Sequence, residues 1–448
     1  TRASGEAGDT VRGSEHDLDA LMQKAAEAVY ARTQQFRYAI YLIRGSQSDR
    51  AASFTILQKL ALRGSARDRI WAYMGLGTRE EFSDPLHAAK TQALAIPLAP
   101  RFALPYQNIS NEEYATGHDE AALTAARKGV ALLEKGDGEM SARASAISLP
   151  AGQALAVGIV GDFVEANRKA AQCDLQPDYS SIAEICRSET ARNEALQHDL
   201  RAARGDWSSV PVPSDRIAAI DYRPFEVSVL YDMNEWDSVI QKTDAFEKFL
   251  QPLADIPPFT KAFAPYTLSR RIWPYTAAAM AHTGDMKGAL ALIGKTPLDC
   301  DLCVRMRGNI AAMNQDWAGA AQWFAMVSAR SPSVPFADSD WGAMLLQKGD
   351  YDAAIAKFET ANQKSPHFAD PLEMWGEALI AKNRSDLALA KFEEAEKYAP
   401  NWGRLHLKWG EALLYVGNKT EAQKQFARAS RLYLTPAETA QLAKASHG

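Results

Sequence analysis

Four cysteines are the residues of this chain whose type and spacing could do chemistry. Cys300 and Cys303 form a Cys-x-x-Cys motif, and Cys173 and Cys186 form a second, wider pair. A Cys-x-x-Cys motif can be a redox pair, half of a zinc site or two structural cysteines. The redox role calls for a βαβ context, which the sequence lacks.

A zinc site built from all four cysteines is not expected. The two segments would have to meet across more than three helical repeats, and helices packed about 8–10 Å apart would separate them by roughly 30 Å. We therefore predict no metal and no cofactor. Buried free thiols are the favoured interpretation, and a disulfide within each pair, which would fit an oxidising compartment, is the alternative.

Other catalytic patterns are missing from the sequence. The stretch "IGKTP" at Gly294 lacks the glycine that a phosphate-binding loop needs five positions earlier, where Ala289 stands. The eight histidines include no His-Glu-x-x-His motif, and there is no Gly-x-Ser-x-Gly motif. The adjacent Glu393 and Glu394 share a predicted helix with lysines, which indicates a solvated face. We therefore expect a protein that is not an enzyme.

Length and charge narrow the class of protein. The 448 residues exceed what one compact core usually fills, which predicts several domains or an elongated array. A net charge of −5 gives no overall attraction to nucleic acid, so no nucleic-acid partner is expected. No run of 18 apolar residues occurs, so direct membrane insertion is not expected. Because the chain begins at Thr1, we expect that an upstream leader or membrane anchor was removed, and both a cytoplasmic and a periplasmic location stay open.

A 34-residue period organises the C-terminal part of the chain. An aromatic-glycine pair begins each of three successive units, and a small alanine and a phenylalanine follow at fixed distances. The aromatic-glycine pairs are Trp341-Gly342, Trp375-Gly376 and Trp409-Gly410. The alanines are Ala354, Ala388 and Ala422, and the phenylalanines are Phe358, Phe392 and Phe426. One period upstream, Gly308, Ala320 and Phe324 occupy the same columns.

This pattern resembles the tetratricopeptide repeat (TPR) family over about residues 298–434, and the resemblance is degenerate upstream. It implies an all-α fold, a right-handed α-solenoid of stacked antiparallel helix pairs in a TPR-like superhelix. In such units the glycine and the small alanine lie where the paired helices press together, and the phenylalanine fills the gap to the next pair. A closing proline such as Pro366 ends the second helix.

Changes in composition along the chain predict five segments. Residues 1–17 are polar and aperiodic, and we expect a linker or disordered tail. The others are divergent TPR-like repeats over 18–206, an irregular proline-containing junction with helices over 207–265, regular TPR repeats over 266–434 and a capping helix over 435–448. Within the junction, Trp207–Pro224 and Gln251–Pro265 are expected to be too extended for helix.

The resemblance also implies a binding surface, because the first helix of each TPR unit lines the concave groove. Arg305 and Asn309 resemble part of the basic clamp that some TPR proteins use for a C-terminal carboxylate. The following units are acidic instead. They place on the inner side Glu373, Glu377 and Glu411, and Arg404 and Lys408 lie near the last of these. An acidic row would favour a basic or mixed-charge segment, and the alternative is a set of solvated helix residues without a ligand.

The sequence therefore predicts a non-enzymatic scaffold that binds a protein or peptide in its groove, as part of a larger bacterial protein. One alternative is a self-assembly module that stacks on copies or folds against its own N-terminal half, which an exposed apolar end of the stack would favour. Another is a small-molecule sensor domain of a regulator, which a closed aromatic-lined cavity near Trp207 or Trp273 would favour. The identity of the partner and the oligomeric state stay open.

Overall fold

The computed structural model describes residues 2–446, except 4–5, 8–9, 14–15, 44–45, 82–83, 137–138, 175–179, 212–215 and 253–262. Within these ranges the chain is all-α apart from two short strands, β1 (Arg2–Ala3) and β2 (Glu6–Ala7), which pair antiparallel. The helices stack in antiparallel pairs as an α-solenoid, so the fold class predicted from the repeat pattern is confirmed.

We divide the helices into two halves. The N-terminal half consists of α1 (Leu18–Thr33), α2 (Gln35–Ile43), α3 (Gln47–Arg63), α4 (Ala66–Glu80), α5 (Pro85–Ala93), α6 (Ala103–Thr116), α7 (Asp119–Glu134), α8 (Ala142–Gly158), α9 (Phe163–Asp174), α10 (Ser180–Leu196), α11 (Leu200–Ser209), α12 (Arg216–Asp232) and α13 (Trp236–Leu250). The C-terminal half consists of α14 (Phe263–Thr267), a π-helical turn (Leu268–Ile272), α15 (Trp273–His282), α16 (Met286–Ile293), α17 (Asp301–Met313), α18 (Trp317–Arg330), α19 (Phe336–Lys348), α20 (Tyr351–Lys364), α21 (Ala369–Ala381), α22 (Ser385–Glu396), α23 (Gly403–Tyr415), α24 (Lys419–Ala429) and α25 (Pro436–Ser446).

The repeat glycines allow the two helices of a pair to approach closely. A Cβ atom at Gly376 would lie 2.7 Å from the ring of Phe392, and a Cβ atom at Gly342 would lie 2.5 Å from the ring of Phe358. Each phenylalanine therefore packs on the glycine of its own pair. Phe358 also belongs to a core cluster with Ala378 of the next pair, so its side chain contacts both its own helix pair and the following one.

The repeat tryptophans are half-buried, and two of them, Trp341 and Trp375, lie under lysine side chains. Lys357 of α20 has its ammonium 3.6 Å from the ring centroid of Trp341, and Lys391 of α22 lies 4.3 Å from that of Trp375. Such cation–π contacts contribute about 0.5–1 kcal/mol each at exposed sites. These two contacts therefore join the first and second helices of a unit on the side that faces solvent.

One expectation for the junction is wrong. Residues 216–224 are helical, because α12 begins at Arg216 and runs through Pro224, so the stretch Trp207–Pro224 is not extended throughout. The N-terminal part of that stretch belongs to α11, which ends at Ser209. Most of Gln251–Pro265 lies outside the described residues. The segment that the sequence assigns to a capping helix contains α25, which closes the C-terminal end of the stack.

The superhelix is coiled tightly enough for its successive turns to touch. Loops between helices of the C-terminal half hydrogen-bond to helix starts of the N-terminal half. The pairs are Ser333 Oγ to Glu120 Oε1 at 2.7 Å, His367 Nδ1 to Asp162 Oδ2 at 2.7 Å and Asn401 Nδ2 to Asp199 Oδ2 at 2.6 Å. These residues are 202–213 positions apart, so one superhelical turn takes about six 34-residue units.

Aromatic rings pack between these polar pairs. Phe163 stacks on Phe336 at 6.2 Å between centroids and meets Phe368 edge-on at 5.8 Å. Farther along, His198 stacks on Trp402 at 3.8 Å. We call the hydrogen-bonded pairs and these rings the inter-turn contact. It fixes the N-terminal half against one edge of the C-terminal half.

Candidate binding surface

The acidic residues singled out in the sequence lie together on α21 and α23 of the last units. Glu373 and Glu377 stand one turn apart on α21, and Lys408 and Glu411 stand on α23. Lys408 Nζ lies 3.5 Å from Glu377 Oε2 and 3.4 Å from Glu411 Oε2. The structure therefore brings four of the six predicted groove residues into one cluster.

Arg404 is the centre of this cluster, a role that the sequence did not single out. Its Nε lies 3.2 Å from Glu373 Oε1, it is paired with Glu377, and its Nη1 lies 3.7 Å from Glu438 Oε1 of α25. Gln441 of α25 donates a hydrogen bond of 2.6 Å to Glu411 Oε1. The cluster thus has four carboxyl groups and two cationic groups. We call these six charged residues the acidic cluster: Glu373, Glu377, Arg404, Lys408, Glu411 and Glu438.

Burial separates the carboxyl groups of the cluster into two kinds. Glu373 is fully buried, and its burial, followed by repulsion from Glu377, raises its pKa well above the usual range against the attraction of Arg404. The carboxyl group of Glu373 therefore pairs with Arg404 inside the protein, whereas the sequence pattern placed Glu373 on the inner surface of the groove. Glu377 and Glu411 keep 20% and 31% of their side-chain surface exposed and are accessible to solvent.

Arg305 and Asn309 form a separate cluster on α17. Arg305 Nη1 lies 3.2 Å from Asp340 Oδ2, and Asn309 Nδ2 donates to the same oxygen at 2.9 Å. The Arg305 guanidinium also lies over the ring of Phe336, at 5.3 Å from its centroid. Both side chains are thus committed to Asp340, so the structure does not present them as a ready clamp for a partner's carboxylate.

A buried polar network within the N-terminal half was not identified from the sequence. Arg192 Nη1 donates a hydrogen bond of 2.5 Å to the Tyr114 hydroxyl, and Arg192 Nε lies 3.7 Å from Asp232 Oδ2. Burial raises the pKa of Tyr114 to about 12 and that of Asp232 to about 6. These residues lie on three different repeats, so no local spacing in the sequence marks them as neighbours.

The cysteines are paired in the structure. Cys173 is bonded to Cys186 and Cys300 to Cys303, with Cα–Cα distances of 6.2 and 5.2 Å. The free thiols that the sequence favoured are therefore not what the structure contains. Cys300 also caps α17, where its sulfur accepts a hydrogen bond from the Cys303 amide at 3.1 Å. The pair adjoins the inter-turn contact, because the neighbouring Asp301 amide donates to Gly117 O at 2.7 Å.

The tryptophans named for a sensor cavity fill the core instead. Trp207 packs on a cluster that includes Leu200 and Met233, and Trp273 packs on the large cluster around α15 and donates to Glu247 Oε1 at 2.7 Å. Cavities of 860 and 480 Å³ lie elsewhere, the first between α6, α7 and the end of α18 and the second between α18 and α19. Neither cavity is lined by Trp207 or Trp273.

The described residues contain neither a metal-binding cluster nor a membrane-spanning helix. Among them, no group of three or more His, Cys, Asp or Glu side chains is arranged to hold a metal ion. In the same part of the chain, no helix combines the length and the apolar character needed to cross a membrane.

Comparison with known proteins identifies the repeats. The tetratricopeptide repeat family profile matches residues 345–408, so this part of the chain consists of tetratricopeptide repeats, as the sequence pattern predicted. No curated protein sequence matches the chain significantly.

Solved structures of MamA match part of the chain. MamA AMB-1 is 19% identical, covers 36% of this chain with 96% of its own and gives a TM-score of 0.28. MamA from residue 41 to the end, from Desulfovibrio magneticus RS-1, is 18% identical, covers 36% of this chain with 92% of its own and gives a TM-score of 0.31. A likeness this distant carries no argument about function.

Proposed function

We propose that the chain is a non-enzymatic scaffold that binds a protein or peptide with basic side chains on the concave side of α21, α23 and α25. The observation that carries the proposal is the acidic cluster, with three carboxyl groups and two cations on the first helices α21 and α23 and a fourth carboxyl group on the capping helix α25. Repeats of this type generally serve protein interactions, and fold alone does not name the partner.

The charge excess indicates what a partner should carry. Arg404 already occupies the space between Glu373, Glu377 and Glu438, so the cluster accepts a guanidinium from within the chain. Glu411 is paired with Lys408 and accepts a hydrogen bond from the neutral Gln441, and it keeps 31% of its side-chain surface exposed. Glu411 is therefore the carboxylate of the acidic cluster that is most accessible to a partner's lysine or arginine. Charge contacts of this kind set orientation and association rate more than affinity.

The test compares charge removal in the groove with equal charge removal outside it. Partners captured from lysate by the wild-type chain are titrated against E377Q/E411Q and against E359Q/E393Q. Both variants lose two negative charges, but Glu359 and Glu393 are exposed residues of second helices α20 and α22. Glutamine keeps the shape of glutamate, so the repeats should fold equally well in both.

We expect E377Q/E411Q to weaken binding about tenfold or more, equivalent to about 1.4 kcal/mol, and E359Q/E393Q to leave it unchanged. The salt dependence of the dissociation constant should also become shallower for the groove variant alone. Equal affinities for the wild type and E377Q/E411Q would move the binding surface away from the acidic cluster. If no partner is captured at all, the scaffold proposal fails.

A further inference from the structure

The two ends of the solenoid are closed differently. At the C-terminal end α25 buries Leu442 against Leu407, Leu413 and Phe426, so the last pair has a covering helix. At the N-terminal end no residue of α1 is buried. An open end of a repeat stack exposes the apolar face that the next unit would cover, and a terminal cap normally removes that exposure.

The N-terminal end is apolar as well as open. Six large hydrophobic residues on α1 and α2 are exposed, which we call the N-terminal apolar end. They are Leu18 (62%), Met22 (69%), Tyr30 (41%), Ile40 (38%), Tyr41 (52%) and Ile43 (39%). The two helices form one surface, because the Tyr41 hydroxyl donates to Glu27 Oε1 at 3.0 Å and accepts from Gln23 Nε2 at 3.2 Å.

We infer that the N-terminal apolar end is a dimerisation surface, which pairs with the same surface of a second copy about a two-fold axis. A symmetric pair covers both open ends at once and leaves no new end exposed. Head-to-tail stacking does not achieve this, because α25 already occupies the C-terminal end. Among the described helices, the N-terminal apolar end is left uncovered, and the same surface of another copy has the same apolar character.

The exposed area is of the size that such a dimer needs. The exposed fractions equal about two fully exposed aliphatic side chains and one tyrosine, or roughly 260–470 Å² in all. A standard interface buries about 800 Å² per partner, of which somewhat more than half, roughly 450 Å², is apolar. The N-terminal apolar end therefore supplies most of that apolar part.

Charges on α1 suit an antiparallel pair of copies. The helix has Asp19 in its first turn and Arg32 in its last turn. In an antiparallel arrangement each acidic first turn faces the basic last turn of the other copy, which is also the favourable alignment of the two helix dipoles. Between these ends α1 carries Lys24 and Glu27, so its net charge is zero.

Two other occupants fit the chemistry less well. The 17 residues before α1 include only one large apolar side chain, Val11, so they cannot supply a covering face. A membrane surface would favour a helix with a strongly basic polar face, and α1 lacks one because Asp19 and Glu27 balance its two cations.

The experiment measures the mass of the full 448-residue chain over a range of concentrations by sedimentation equilibrium. The test variant is L18E/M22E, and the matched control is L290E/L387E, whose leucines are 46% and 42% exposed on α16 and α22. Both variants add two charges at exposed apolar positions. Helicity and melting temperature, measured by circular dichroism, should stay at the wild-type values in both.

We expect the wild type and L290E/L387E to pass from 49.1 kDa to twice that mass as concentration rises to about 100 μM. L18E/M22E should remain at 49.1 kDa, with a dimer dissociation constant at least tenfold weaker. A wild-type chain that stays monomeric, or a dimer that L18E/M22E does not weaken, overturns the inference. So does wild-type flotation with phosphatidylcholine–phosphatidylserine vesicles that is lost in L18E/M22E, which would assign the surface to lipid.

Discussion

Replacing Phe163 by alanine should detach the N-terminal half from the C-terminal half. Phe163 is 4% exposed, and its ring contacts those of Phe336 and Phe368 across the inter-turn contact. Truncating a buried phenylalanine to alanine costs about 3–5 kcal/mol. Two aromatic contacts at about 0.5–1.5 kcal/mol each account for about 1–3 kcal/mol of that loss. The rest is the transfer and cavity cost of the missing ring.

Urea unfolding, with amide hydrogen exchange of the native state, measures both the size and the place of the effect. The control is F246A, because Phe246 is fully buried in the core cluster around α13 and α15, away from the inter-turn contact. Both variants should lose about 3–5 kcal/mol of unfolding free energy. Only F163A should speed exchange at the amides of Asp301 and Ser333, which donate across the contact to Gly117 O and Glu120 Oε2.

Two results would refute this reasoning. A loss below about 1 kcal/mol for F163A would mean that the site collapses around the missing ring or that the contact contributes little. A full loss with unchanged protection of both amides would mean that Phe163 stabilises only its own unit. In that case the polar pairs, and not the rings, hold the turns together.

Three further predictions concern stability within the solenoid. G376A should destabilise the protein by about 1–3 kcal/mol, because its Cβ would lie 2.7 Å from the Phe392 ring. In the same urea titration, G205A in α11 should stabilise the protein by up to about 1 kcal/mol, because open space surrounds that position and alanine favours a helix more than glycine does. C173S/C186S should lower the unfolding free energy by about 3 kcal/mol, because the disulfide no longer restricts the loop between the two cysteines in the unfolded chain. Dithiothreitol should lower the unfolding free energy of the wild type by about this amount more than that of the variant, because the variant has no Cys173–Cys186 bond to lose. Burial, followed by repulsion from Asp301, raises the pKa of Asp119 to about 7. A carboxyl group with a raised folded-state pKa contributes stability that is complete below its unfolded-state pKa of about 4 and is lost as pH rises to the folded-state value. The wild type should therefore lose stability between about pH 4 and pH 7 relative to D119N, and parallel pH profiles would contradict this.

The 34-residue pattern was enough to predict the repeat architecture because its columns have local physical causes. Gly342 and Phe358 recur at fixed spacing since each helix pair needs the same close approach. Helix pairs contact mainly their neighbours, so the residues within each unit determine how that unit packs. The junction was predicted less well, because Pro224 reads as a helix breaker although α12 continues through it.

The candidate site was predicted only in part. Glu377, Lys408 and Glu411 lie together because units 34 residues apart present equivalent faces, which the period states directly. The burial of Glu373 and the central position of Arg404 depend on side-chain packing between three helices, which spacing does not give. The proposed partner surface thus joins predicted positions with an unpredicted ion-pair arrangement.

What the sequence determined by itself is the unit: two helices, their close contact and the order in which the units follow. Only the tertiary structure decided which residues of successive superhelical turns contact each other. Pairs such as His367 with Asp162 and Asn401 with Asp199 join residues more than 200 positions apart. Their partners are set by the accumulated small rotation from each unit to the next, and a few degrees per unit, summed over about six units, decide which loops touch.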